Sequence, residues 1–297
     1  MLLLPDFLLI LVGGLVCRYT ALDRAVWDAA ERLVYYLLFP VLLFNSVVRS
    51  PLQPAQTFKL AAAGIAVTLL GIALAWSLKR WPGVDARLHA SGAQVAFRFN
   101  TYIALALAER IGGAPGLAWM ALLIALAVPI VNVAAVWQLA RNGGHSYARE
   151  LLRNPLILSI VAGFVANVAG IRLPDAVGTT LQRIGVAALP VGLMAVGAGL
   201  QLRGLRGSLP LASALLAIRH VVLPALALGL VAVLALQPEQ RAIVILFAAL
   251  PTAASTYVLA VRMGGDGPFV AGLVTISTLL GMLSIPFWLA VQSTLHL

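Results

Sequence analysis

The run Phe97-Arg98-Phe99-Asn100-Thr101-Tyr102 sets a guanidinium, a carboxamide, a hydroxyl and a phenol midway through a mostly apolar stretch, His89 to Glu109. Spacing of three and four puts Arg98, Thr101 and Tyr102 on one helical face and leaves Asn100 off it. A helix interrupted at Asn100 would let all four face one cavity. A guanidinium beside neutral hydrogen-bonding groups suits an anion that carries a carboxylate. A second polar cluster, Leu250-Pro251-Thr252-Ala253-Ala254-Ser255-Thr256-Tyr257, is built around a proline. Pro251 removes a backbone donor and disfavours helix at Leu250, while Thr252, Ser255 and Thr256 recur at three and four. The N-terminal end of a broken helix attracts an anion. Helix packing is the competing reading for both clusters: Arg98 capping carbonyls or snorkelling, and hydroxyls repairing a proline kink.

Other polar positions carry less. Asn45 follows Pro40 and Asn132 follows Pro129, each suited to an interhelical hydrogen bond or a ligand contact. Arg219-His220 reads as a second cation or a structural pair, and Arg183 as a snorkelling side chain. Asp6, Glu31 and Glu109 sit near the ends of apolar stretches, where they balance nearby charge. No carboxylate falls near the centre of any stretch, so a carboxylate proton relay or sodium site has no occupant. Gly-x-Ser-x-Gly, His-Glu-x-x-His and P-loop patterns are absent, and His89, His145, His220 and His296 do not cluster. Cys17 is the single cysteine, which excludes an internal disulfide. An enzyme, a metal site and a cofactor are therefore not expected.

The elements that must position these residues follow from composition. Of 297 residues, 62% are hydrophobic and 10% charged, against about 25% charged in a soluble domain. Mean hydropathy is +1.00. That excludes a soluble globule and leaves a polytopic protein whose partner is the lipid bilayer. The net charge of +10 invites a nucleic-acid reading. The basic residues, however, are scattered in ones and twos between apolar stretches and read as topogenic.

A helical span takes about 20 apolar residues, and ten candidates fit: 5–21, 27–49, 58–78, 89–109, 115–139, 155–171, 175–201, 208–235, 240–261 and 267–293. Strands of a barrel would alternate instead. The first candidate reads as a retained span, not a cleaved leader. Alternate connections hold eleven Lys and Arg on one side and five on the other. The richer side is expected to be cytoplasmic, with both termini on the opposite face of a cell (inner) membrane.

Shifting the chain by 150 superimposes landmarks: Pro5 on Pro155, Ile10 on Ile160, Gly13 on Gly163, and Pro40-Val41 on Pro190-Val191. With a small drift, Asn100-Thr101-Tyr102 is echoed by Ser255-Thr256-Tyr257 and Arg110-Ile111-Gly112-Gly113 by Arg262-Met263-Gly264-Gly265. Two five-span halves, 1–140 and 155–297, are expected around a connecting loop at 141–154. An odd span number inverts the second half relative to the first, an arrangement that points to transport.

Several of these segments together resemble the auxin efflux carrier family over essentially the whole chain. They are Phe97–Tyr102, Asn154-Pro155-Leu156-Ile157, Leu250-Pro251-Thr252 with Leu259-Ala260 and Gly264-Gly265-Asp266, and Leu38–Phe44. The resemblance implies an all-α membrane fold of ten helices as a 5+5 inverted repeat, with helices four and nine broken and crossing. Helices 1, 2, 6 and 7 would form a scaffold past which helices 3–5 and 8–10 move like an elevator. It implies organic-anion substrates such as malonate or related dicarboxylates, a homodimer through the scaffold, and substrate-facing Asn45, Asn100 and Asn132. Family members of plant type have proline at both crossover breaks and a long central loop; this chain lacks the proline in its fourth span, and its central loop, 141–154, is short. Together these readings give as site residues Asn45, Arg98, Asn100, Thr101, Tyr102, Asn132, Pro251, Thr252, Ser255 and Thr256. A sodium-coupled carrier of the bile-acid type and a non-transporting receptor or scaffold remain open.

Overall fold

The computed structural model describes residues 4–49, 54–139, 155–171, 173–200 and 209–295. Among them every regular element is helical. The elements are α1 (Leu4–Tyr19), α2 (Arg24–Arg49), α3 (Pro54–Ser77), α4 (Ala86–Gly92), α5 (Thr101–Leu139), α6 (Pro155–Val168), α7 (Asp175–Ala198), α8 (Leu209–Val233), α9 (Pro238–Ala249), α10 (Ser255–Arg262) and α11 (Gly267–Thr294). The expected loop at 141–154 lies outside the described residues.

Among the described residues six stretches are long and apolar enough to cross a membrane: Arg24–Arg49, Thr57–Arg80, Ala86–Leu139, Asp175–Ala198, Leu209–Val233 and Gly267–Thr294. The 54 residues of Ala86–Leu139 would reach about 80 Å as one rod, well over twice the ~30 Å apolar depth of a bilayer. The chain divides them at Phe97–Asn100, where helix is lost, and again at Gly113 (φ 57°, ψ −148°). A side chain at Gly116 would strike the carbonyl of Ala108. In a straight helix residues eight apart are separated by about 12 Å, so α5 doubles back at Gly113.

Local chemistry sets several ends and irregularities. Asp23 caps α2, accepting from the amides of Ala25 (3.0 Å) and Val26 (3.3 Å). Wide π turns occupy Val34–Leu38 in α2 and Ile218–Val222 in α8. Each lies just before a proline, Pro40 or Pro224, which cannot donate to the carbonyl four residues back. For Pro224 that carbonyl belongs to His220, and it accepts from the indole of Trp288 (2.8 Å).

Packing sorts the helices into two groups. In one, α1 lies along the second half of α7, and α2 lies against α6 and α7. Glycines allow backbone to approach backbone there: a Cβ at Gly13 would collide with the Met194 carbonyl, and one at Gly163 would come 3.1 Å from the Phe44 carbonyl. Adding 150 to 13 and to 44 gives 163 and 194, so these are the same contact with its partners exchanged. In the other group, α9 is buried on all sides from Ile243 to Ala249 and packs against α5, α8 and α11, while α3 joins α5 to α8. The groups meet where α5 touches α2 and α7. Near the Gly113 bend, Arg110 reaches Asp6 of α1 at 3.1 Å.

Candidate functional site

Two helix interruptions lie side by side in the second group. In the first, α4 tightens into a 3-10 turn at Ala93–Ala96, and the chain runs without helix through Arg98–Asn100 before α5 starts. Asn100 is the reason α5 can start there. Its side-chain oxygen accepts from the amides of Tyr102 (3.0 Å) and Ile103 (3.2 Å), the bonds of an N-cap. Its own amide donates to the Pro251 carbonyl in the second interruption (2.8 Å). Buried backbone groups freed by one break are thus satisfied by the other.

In the second, α9 stops at Ala249 and Leu250 is extended (ψ 141°), as the residue before a proline prefers. The carbonyls left at this end are taken by Arg219 of α8, which donates to Leu250 and, at 3.4 Å, to Phe247. The Thr252 amide donates to Ser277 of α11 (3.0 Å), and Ser277 also bonds His220 (2.9 Å), whose other ring nitrogen meets Ser284 (2.9 Å). Arg219-His220 is therefore the structural pair of the two sequence alternatives. α10 begins at Ser255 with no side-chain cap.

Arg98 stands at the junction. Its guanidinium donates to Gln94 Oε1 (3.1 Å), Asn132 Oδ1 (3.3 Å) and Ser255 Oγ (3.2 Å). All three acceptors are uncharged, and none of the ion pairs among the described residues involves Arg98. Gln94 ties this cation to α10 by donating to the Thr256 carbonyl (3.2 Å).

A cavity of about 560 Å³ opens between the two helix groups. Asn100, Thr101 and Tyr102 from the first interruption and Ala253, Ala254 and Ser255 from the second line one side. The Tyr102 ring is stacked on Phe39 of α2 at 5.1 Å. The opposite side comes from Arg24, Glu31 and Tyr35 of α2 and from the small residues at the end of α7.

Of the ten residues expected from sequence, Asn100, Thr101, Tyr102 and Ser255 line this cavity. Arg98 lies one hydrogen bond behind Ser255, and Asn132 lies one further back, accepting from Arg98. Pro251 contributes its carbonyl to Asn100. Thr252 and Thr256 are fully buried, their hydroxyls 3.4 Å apart. Asn45 is buried in α2 away from the cavity lining, and its Oδ1 meets no donor among the described residues. Sequence reading missed Arg24 and Tyr35 and placed Glu31 merely near a span end. The signal was the stripe Arg24, Asp28, Glu31, Tyr35, which follows one helix face at steps of four, three and four.

Comparison with known proteins bears on this arrangement. A family described as "Membrane transport protein" matches residues 138–289. The chain belongs to this family. It is the auxin efflux carrier family that the sequence resembles, a family of membrane transporters. A protein of Methanothermobacter thermautotrophicus named "Uncharacterized transporter" is 26% identical over 293 residues, covering 96% of this chain and 95% of that protein. A Rhizobium meliloti protein named "Putative malonate transporter" is 26% identical over 317 residues, covering 96% and 92%.

Proposed function

We propose that this transporter carries small organic anions bearing a carboxylate, malonate-like acids among them, across a cell (inner) membrane. The observation that carries the reading is Arg98: a guanidinium at the meeting point of two helix breaks, one hydrogen bond from a cavity, with only uncharged partners among the described residues. An arginine at membrane depth costs about 2.5–3.5 kcal/mol on insertion scales. An arriving carboxylate supplies the counter-charge that none of the described residues does. Ser255 Oγ, the Thr101 hydroxyl and the uncapped start of α10 receive the anion, and Arg98 lends positive potential from behind Ser255.

The substrate moves by alternating access of the elevator kind, in a ten-helix, 5+5 inverted repeat with halves 1–140 and 155–297 and both termini non-cytoplasmic. Support comes from the exchanged contact pair Gly13–Met194 and Gly163–Phe44 and from the 150-residue offset in the sequence. The separate packing of α1, α2, α6 and α7 supports their role as the scaffold, with the helices carrying both breaks as the moving part.

The test is uptake by the purified full chain in proteoliposomes, with a panel of mono- and dicarboxylates under a pH gradient, a sodium gradient or a membrane potential. Arg98→Ala should lower uptake on the order of 100-fold, the factor for about 2–3 kcal/mol, while the protein remains folded and monodisperse; full uptake by this variant would refute the assignment. Strict sodium dependence would move the reading to the bile-acid type, and ligand binding without flux to a receptor.

A further inference from the structure

The cavity has a second cationic group that the anion reading does not use. Arg24 opens α2 and bonds two carboxylates of its own helix, Asp28 at 2.8 Å and Glu31 at 2.9 Å. The three side chains are 45%, 49% and 30% exposed. Pairs this exposed hold together by about 0–1 kcal/mol, so another carboxylate can replace one of them. Arg24 also has room to work in. Its Nη1 lies 3.0 Å from where a Cβ at residue 199 would be, so Gly199 leaves the guanidinium its place. Ala195 and Ala198 keep the floor beside it low.

The position along the cavity matters as much. Arg24 is the first residue of α2, and Gly199–Leu200 follow the last of α7, so this end of the cavity lies at one membrane face. The helix breaks line the same cavity from the other helix group. Among the described residues, the remaining ionisable groups lining the cavity are Tyr35 of α2, Tyr102 of α5 and Tyr257 of α10; the α7 wall, Ala188–Ala198, contributes none. Among the described lining residues Glu31 is the only carboxylate, and Asp28, outside the lining, is the other one paired with Arg24.

We propose that Arg24 and Glu31 form a one-sided receiving station for the anion. A substrate carboxylate entering from the face where α2 begins takes the place of Glu31 on Arg24, and then passes to Ser255 and the breaks. Glu31 re-pairs with Arg24 behind it. Because α2 belongs to the group around α1, α6 and α7, the station stays at that face and serves traffic from that side alone. The inference rests on the anion-carrier reading above.

The experiment uses the full chain in proteoliposomes sorted for a single orientation, with radiolabelled malonate and acetate offered in turn to each face. Glu31→Gln removes the competitor that lines the cavity, leaving Asp28, and should lower KM at the α2-start face by up to about fivefold, the factor set by about 1 kcal/mol. Such a gain in affinity cannot come from misfolding. Arg24→Gln should raise KM at that face several-fold, with Arg24→Lys in between. KM at the opposite face should stay as in the parent protein for all three. Parent-like KM at both faces in all variants would overturn the station and leave the carrier standing. Equal shifts at both faces would overturn its one-sidedness. A parent protein that neither exchanges nor accumulates either anion refutes the carrier reading, and the station with it.

Discussion

The two helix breaks sit against each other yet solve the same problem with opposite means. At the second, a buried arginine is consumed by structure: Arg219 satisfies the Leu250 and Phe247 carbonyls, and the His220–Ser277 relay holds the Thr252 amide. At the first, backbone closure is left to an uncharged side chain, Asn100, and to the Pro251 carbonyl. The arginine there, Arg98, is left with neutral partners beside the cavity. An arginine at membrane depth is therefore not a binding residue by position alone. What it has already neutralised decides whether it can neutralise a substrate.

The comparison breaks most visibly at Arg219. Arg219→Ala strands two buried carbonyls and should cost on the order of 3 kcal/mol, read as a large loss of thermal stability in detergent, with transport lost through unfolding. Arg98→Ala should do the reverse. Its melting point should fall little, while transport falls on the order of 100-fold, as expected when about 2–3 kcal/mol of charge-assisted recognition goes. If Arg98→Ala melts as early as Arg219→Ala, the contrast between the two arginines fails. Asn100→Ala removes the cap of α5 and should cost about 1 kcal/mol, seen as a moderate shift in an unfolding titration. Thr252→Val should have the smallest effect, about 0.5–1 kcal/mol, because the amide of Thr252, not its hydroxyl, holds the break. A transport loss there to match Arg98→Ala would draw the second break's interior into the site.

Much of this was legible in the chain. Apolar run lengths located most helix ends to within a few residues, although two expected spans, 89–109 and 115–139, fall within the single apolar stretch Ala86–Leu139, and Pro251 announced the second break because its ring and missing donor act locally. The first break has no such residue. It depends on Asn100 finding Pro251, more than 150 positions away, and only the polar character of Phe97–Tyr102 hinted at it. The role of Arg219 was hidden for the same reason: its acceptors are backbone carbonyls of another helix, which carry no sequence signature. Arg24 and Glu31 were discounted because they lie near a span end, where charges are usually solvated. The cavity reaches that end, so proximity to the membrane face did not place them outside the site. Asn45 and Asn132 share the same residue type and a similar place after a proline, yet one is buried away from the cavity and the other bonds Arg98.

The bond between Arg110 and Asp6 is the one described ion pair that joins the two helix groups. Asp6 is sheltered at 7% exposure while Arg110 is 42% exposed, so salt in the adjacent water can reach the pair. Arg110 grips both oxygens of Asp6 as a fork, yet its exposed side keeps the link well short of a buried ion pair. In the sliding motion proposed above it is a brake and not a lock. Ionic strength at that face then sets the tempo of each crossing without altering how tightly the cargo is held.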